Sequence, residues 1–300
     1  MKLDLTNPTA NRIENLLYKV SKFPDGQQSL EIPNSEHDKI RHGTSNVTIV
    51  SRLNNFSDLE LIICGVKAIR GLNKTMKIDL SVPYFIGARS DRKFVEGGIN
   101  YVKDVISPVI NSLDFDRVKV LDPHSDVIEA CVNGLKKATN TYYQFINFAV
   151  SKISGSTFNP DELCLISPDS GAYKKTFDVA KALGVQSIAT ANKIRDIKTG
   201  QIIKTEVPNL PISKTDVPLK YVIIDDICDG GRTFIELAKA IREQLPTAQI
   251  YLVVTHGIFS AGLDVLTPHF NKIITTNSYK DIEADEIITH QFNVFTNFLI

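Results

Sequence analysis

The chain reads as an α/β protein built on two mainly parallel sheets, each flanked by helices. Three observations predict this. Short β-branched runs alternate with helix-period segments along most of the 300 residues, the pattern of parallel strands joined by crossover helices. The stretch "SKISGSTFNP", Ser151–Pro160, is rich in Ser, Gly, Asn and Pro and divides that alternation in two. Two domains, 1–150 and 151–300, follow. Finally, three strand candidates run out into polar chemistry, "KVLDPHSD", "CLISPDSGAYKK" and "VIIDDICDGGRT". Open α/β sheets collect ligands at the carboxyl ends of their strands.

Each element follows from local pattern. "NVTIVSRL" is a strand. "SDLELIICGVKAIRGL" is a helix, with Ser57 or Asp58 as its cap and Gly71 as its stop. "KIDLSVPYF" is a strand, and "VKDVISPVINSL" a helix kinked at Pro108. "RVKVLD" is a strand and "DVIEACVNGLKKATN" a helix. In the second half, the strand "ELCLIS" precedes the helix "YKKTFDVAKALG". "QSIATA" is a strand before a polar stretch, and "DIKTGQIIKTEV" a hairpin turning at Thr199-Gly200. "KYVIID" precedes the helix "TFIELAKAIREQL", and "QIYLVVT" and "NKIITT" are further buried strands.

Bulk properties narrow the function. Lys+Arg and Asp+Glu both number 34, so no basic excess points to nucleic acid and no acidic tail to a disordered partner region. Cys64, Cys131, Cys164 and Cys228 are scattered, without C-x-x-C or zinc spacing, which suits a reducing compartment. The N-terminus "MKLDLTNPTA" is too polar for a signal peptide, and the apolar runs are too short to span a bilayer. The expectation is a soluble cytoplasmic protein without membrane partners. No P-loop G-x-x-x-x-G-K-[ST] occurs.

The segment Val222–Phe234, "VIIDDICDGGRTF", carries the most chemistry. Asp225 and Asp226 lie where a buried strand leaves its sheet, and adjacent side chains there point opposite ways. One would face the ligand while the other anchors the loop or takes a hydroxyl. Carboxylates accept hydrogen bonds from a sugar diol and can hold magnesium. Asp229, Gly230, Gly231, Arg232 and Thr233 then turn into a helix start, where converging amides favour an anion. The combination suits a sugar diol beside a phosphate. The plain alternative is a helix cap with solvated acids.

This segment resembles the ribose-phosphate motif of the type I phosphoribosyltransferase fold, and the wider pattern resembles the ribose-phosphate pyrophosphokinases, or PRPP synthetases. That family reads Asp-Asp-x-x-Asp-Thr-Ala-Gly-Thr here. The acids and the final Thr match, and Gly-Gly-Arg replaces Thr-Ala-Gly. "ARSDRK" resembles the family's ATP-contacting Ala-Arg-Gln-Asp-Arg-Lys, matching at Arg89, Asp91 and Arg92, with Ser90 in place of Gln. "DPHSD" resembles Asp-Leu-His-Ser, and "SPDSGAYKK" resembles Ser-Pro-Asp-x-Gly. "NKIRD" resembles the Lys-x-Arg element of a mobile loop. "KFPDGQQSLEI" resembles Phe-x-Asp-Gly-Glu, with Phe23, Asp25 and Gly26 matching and Gln27 replacing Glu. Phe23 as ordinary core is the competing reading.

The resemblance implies two phosphoribosyltransferase-like domains and transfer of the diphosphoryl group of ATP to the anomeric O1 of ribose 5-phosphate. It implies that Phe23, Asp25, Gln27, Arg89, Ser90, Asp91, Arg92 and His124 bind ATP. It assigns Mg2+ to His124 and Asp169, catalysis to Lys193 and Arg195, and the ribose phosphate to Asp225, Asp226, Asp229, Gly230, Gly231, Arg232 and Thr233. It further implies a homo-oligomer, commonly a hexamer. The Gly-Gly-Arg change leaves open a ribose with a larger 5-substituent, such as ADP-ribose. The Gln27 and Ser90 replacements leave open a noncatalytic regulatory subunit. A transferase that consumes PRPP would not need "ARSDRK", "DPHSD" and Lys-x-Arg together.

Overall fold

The computed structural model describes residues 1–6, 15–155, 157–195, 202–213, 217–283 and 288–297. The chain divides into two units, Met1–Thr141 with Thr296–Ile300, and Tyr142–Phe295.

In the first unit the strands β1 (Lys2–Asp4), β4 (Asn46–Val50), β5 (Lys77–Ser81), β6 (Arg117–Val120) and β7 (Leu135–Lys137) form one sheet in that order, every pairing parallel. A hairpin of β2 (Lys19–Lys22) and β3 (Gln28–Glu31) stands apart from it. The helices are α1 (Asn34–Arg41), α2 (Phe56–Leu72), α3 (Ser107–Ser112) and α4 (Val127–Cys131). Strand order advances in one direction, so right-handed crossovers put these helices on one face. Packing agrees. Leu3, Val47, Ile49, Ile78, Leu80, Val118 and Val120 from the strands share one apolar cluster with Ile40, Ile62, Ile69, Ile110 and Ile128 from the helices. The other face carries polar residues in register, Thr48 beside Asp79 beside Arg117. Arg117 Nη2 donates to Asp79 Oδ2 at 2.6 Å.

Three local expectations change. The cap of α2 is Asn55, not Ser57 or Asp58: its side chain accepts from the Asp58 amide, while Asp58 reaches back in a capping box. Gly71 does not stop α2, which runs to Leu72. The helix expected over "DVIEACVNGLKKATN" is three elements, α4, β7 and the start of the next helix. Gly134 breaks it with φ +66°, a backbone angle that disfavours any other residue there, and Leu135 then pairs with Val118. At Pro108 the predicted kink takes the form of a π-helical turn, Val102–Ile106, with the proline in the first turn of α3.

In the second unit the helix α5 (Thr139–Ser154) leads to β8 (Leu163–Ser167), α6 (Tyr173–Leu183), β9 (Ser187–Thr190), β10 (Asn192–Arg195), β11 (Ile202–Glu206), β12 (Lys220–Cys228), α7 (Arg232–Gln244), β13 (Gln249–Gly257), β14 (Lys272–Thr276), β15 (Thr289–Phe292) and α8 (Val294–Asn297). The main sheet has order β15-β14-β13-β12-β8-β9, again parallel throughout. β10 and β11 form an antiparallel hairpin whose first strand, Asn192–Arg195, lies ahead of the expected "DIKTGQIIKTEV"; the expected turn at Thr199-Gly200 lies outside the described residues.

Both faces of this sheet are covered. Along β12, Tyr221 and Ile223 pack with Phe234, Leu237 and Ile241 of α7. Val222 and Ile224 pack on the opposite side with Phe145, Ile146 and Ala149 of α5 and Val179 of α6. This period-2 alternation between two apolar layers explains why the strand reads as a continuous hydrophobic run.

Candidate active site

Strand order in the second sheet reverses between β8 and β12. From β8 the chain moves outward to β9 through α6; from β12 it moves the other way to β13 through α7. Such a reversal parts the two loops at the strand ends and leaves a crevice. The loop after β8 and the tip of β12 flank it, and they carry Asp169, Asp225, Asp226 and Asp229. The first sheet has no reversal in its strand order.

At the tip of β12 the Asp226 amide donates to Asp225 Oδ1 at 2.9 Å, folding the Asp225 carboxylate back on the next peptide. Asp226 is 5% exposed. Lys175 Nζ, from the first turn of α6, stands 3.5 Å from Asp226 Oδ1. Burial, followed by the charge of Asp226, pushes the Asp225 carboxyl well above the ordinary carboxylate range; Lys175 and the Asp226 amide pull the other way.

Beyond the acids the chain turns at Gly231, whose φ is +80° and whose added Cβ would lie 2.6 Å from Leu266 Cδ2. Two independent constraints thus require glycine there. Gly231 caps α7 without a side chain, so the first-turn amides of Arg232 and Thr233 stay available to an anion. Ser260 braces the loop: its hydroxyl donates to Asp229 Oδ1 at 2.6 Å, and its amide donates to the Asp229 carbonyl at 3.3 Å. Arg232 is exposed and Thr233 partly buried.

Asp169 closes the loop after β8. Its Oδ1 accepts from the Gly171 and Ala172 amides at 3.1 and 3.2 Å, and its Oδ2 from Lys193 Nζ at 2.8 Å. Burial alone would raise this carboxyl, but the Lys193 hydrogen bond and charge, with the two amides, bring it below the ordinary range. The structure thus joins Asp169 to Lys193, which sits on β10 of the hairpin. Arg195 ends the same strand, with its backbone opposite Ile202.

In the first unit, Arg89, Ser90, Asp91 and Arg92 follow β5 in the chain, and His124 follows β6. Asp91 is 3% exposed, and Arg92 Nε donates to its Oδ1 at 2.9 Å. Burial opposes its ionisation, but hydrogen bonds from Arg92 and Ser125 and the charges of Arg92 and His124 hold the carboxyl below the ordinary range. Asp91, His124 and Ser125 line one small cavity with Ala88, Val102 and Pro123. Asp91 therefore organises the loops, while Arg89, Arg92 and His124 are exposed. Phe23, Asp25, Gly26 and Gln27 form the tip of the β2–β3 hairpin. The Phe23 amide donates to the Gln27 carbonyl at 2.8 Å, and the Gln27 amide to Asp25 Oδ1 at 3.1 Å. Phe23 is exposed rather than core, which removes the competing reading.

Sequence reasoning missed Lys175. Lys175 was legible as a lysine in a helix's first turn, where cations are disfavoured.

The fold defines a class: α/β with parallel sheets of five and six strands, as in the crystal structure of phosphoribosylpyrophosphate synthetase from Mycobacterium smegmatis. That structure superimposes with TM-score 0.71 at 18% identity, covering 95% of this chain and 88% of its own. The chain is a distant, full-length homologue of the ribose-phosphate pyrophosphokinases. The protein of that name from Vibrio vulnificus is 26% identical over 302 residues, 93% of this chain and 86% of its own length. The one from Pyrococcus abyssi is 26% identical over 264 residues, 87% and 83%, and the one from Saccharolobus solfataricus 25% over 241 residues, 78% and 76%. No family model matches the chain. None of the described helices is long and apolar enough to cross a membrane.

Proposed function

We propose that the protein is a ribose-phosphate diphosphokinase, moving the β,γ-diphosphoryl group of ATP to the anomeric O1 of ribose 5-phosphate, with PRPP and AMP as products. One observation carries this reading. An acid pair and a side-chain-free helix start sit on one strand–turn–helix segment, at the reversal point of a parallel sheet. That arrangement suits a sugar whose diol meets carboxylates while its phosphate meets amides.

In this reading O1 attacks the β-phosphorus in line, and positioning and charge supply most of the rate. Asp225 and Asp226 hold the ribose hydroxyls. Asp229, Gly230, Gly231, Arg232 and Thr233 hold the 5-phosphate. Lys193 and Arg195 neutralise charge on the transferring group and the leaving AMP. Phe23, Asp25, Gln27, Arg89, Ser90, Arg92 and His124 serve the nucleotide, with Asp91 fixing the loop that presents them.

The acids offer hard oxygen donors, the ligand type of Mg2+. Among the described residues no group of three or more His, Cys, Asp or Glu side chains forms a cage, and Mg2+ bound mainly through substrate phosphates and water needs none. In this reading Asp169 and His124 each have a role in binding Mg2+, and the ion, when bound, would supply charge neutralisation on the phosphates. The reading includes a homo-oligomer, a hexamer in the family's usual form, and a cytoplasmic setting.

A second acceptor is favoured by one observation: an added Cβ at Gly230 would meet only Ser260 Oγ, at 3.7 Å, so the loop has room there beside exposed Arg232. A ribose with a larger anionic 5-substituent, such as ADP-ribose, would pass this loop and meet the Arg232 guanidinium. The test is AMP release from ATP and Mg2+ with each sugar. Release with ribose 5-phosphate is the expected result. Release with ADP-ribose alone reassigns the acceptor, and none with any pentose phosphate makes the chain a noncatalytic regulatory subunit.

A further inference from the structure

The first turn of α6 holds two lysines in different settings. Lys174 is exposed and pairs with Asp178 one turn on. The Lys175 side chain is 22% exposed and turns toward Asp226. Two costs accumulate at Lys175. Its ammonium is largely removed from water. It stands at the positive end of a helix, which disfavours cations, and the acid at that helix start, Asp169, is engaged by the Gly171 and Ala172 amides and by Lys193. An apolar side chain would fill the position without these costs. What offsets them is the acid pair across the crevice, Asp226 within 3.5 Å and Asp225 bound to the Asp226 amide.

Neighbouring carboxyls in a desolvated place resist ionising together, and a cation beside one of them favours its ionised form and fixes which member carries the charge. Lys175 reaches the pair from a different element, so it fixes the Asp226 carboxylate relative to β8 and α6 as well as β12. We infer that Lys175 is a positioning residue for the sugar site, holding Asp226 so that the acid pair is oriented toward the ribose diol. This rests on the sugar assignment of Asp225 and Asp226 and extends it to a residue on another element.

The test is calorimetric titration of ribose 5-phosphate into the full chain, wild type and two variants, with ATP titrated separately. Lys175→Met keeps the length of the side chain and removes its charge; it should weaken ribose 5-phosphate about tenfold or more. Lys175→Arg should recover most of that loss. ATP affinity should stay within about twofold in both. In steady state, Lys175→Met should raise KM for the sugar more than it lowers kcat. Sugar affinity unchanged in Lys175→Met overturns the inference. So does equal loss of ATP and sugar binding that Lys175→Arg does not restore, since that marks a merely structural lysine. Wild-type protein that binds neither ribose 5-phosphate nor ADP-ribose overturns the sugar assignment and this inference together, whereas normal binding in both wild type and Lys175→Met overturns this one alone.

Discussion

Lys193 Nζ lies 2.8 Å from Asp169 Oδ2, tying the β10–β11 hairpin to the loop after β8. In the proposed function one residue of this pair serves the metal and the other the transferring phosphoryl group. Their contact sets the starting position of the hairpin cation. Lys193→Ala should lower kcat about a hundredfold or more and leave ATP affinity nearly intact. Stopped-flow AMP release and equilibrium binding check the two halves separately. An unchanged kcat removes Lys193 from the chemistry.

Asp225 and Asp169 should respond to pH with opposite sign. The folded Asp225 carboxyl is raised, so its contribution to stability is fullest below the unfolded value of about 3.9 and is lost as pH rises through the folded value. Asp225→Asn should therefore stabilise the ligand-free protein in EDTA at pH 7, by roughly 2–4 °C for each kcal/mol relieved, and should change little near pH 4. The depressed Asp169 carboxyl contributes stability above that unfolded value and loses it as pH falls through the folded one. Asp169→Asn should therefore remove part of the acid limb of the melting profile. Calorimetric scans from about pH 3 to about pH 8, starting below the ordinary carboxylate range, decide both signs.

Gly231→Ala introduces both a strained backbone angle and a contact with Leu266. Left-handed backbone in a non-glycine residue costs about 1–3 kcal/mol. Urea denaturation should show at least that loss. The added change Leu266→Ala opens its own cavity, so it should fail to restore wild-type stability. A neutral Gly231→Ala contradicts the loop geometry.

Ser260→Ala removes the hydroxyl that braces Asp229. The pair is partly solvated, so the expected loss of ribose 5-phosphate affinity is roughly threefold to tenfold. Calorimetry should show it, with ATP binding unchanged. Sugar affinity equal to wild type would mean the phosphate loop stands without its brace.

Much of the architecture was written in short-range pattern. β4, β5, β6, β8, β12, β13 and β14 announce themselves as β-branched runs, because strands buried on both faces, or buried on one and short, leave little room for polar residues. The helix α5 was not read, although Phe145, Ile146, Ala149 and Ile153 recur at helical spacing. Tyr142, Tyr143, Gln144 and Asn147 interleave with them and blur the stripe. β7 was masked because "DVIEACVNGLKK" has helical composition, and only its pairing with β6 overrides that preference. The edge elements β1 and β15 are too short to carry a pattern. In the site, Gly231 was legible because local backbone geometry demands glycine there, and the acids because they stand together in one short window. Lys175 and Ser260 act across the fold, and no single window of sequence joins a lysine in one helix to an acid 51 positions on.

The crevice between β8 and β12 arises from the direction in which the chain departs, not from any one side chain. Substitution can therefore redecorate its rim without closing it. Change at an exposed rim position such as Arg232 can thus alter which molecule is welcomed while the berth itself persists, so that new substrate preferences can emerge on an old framework at little risk to folding.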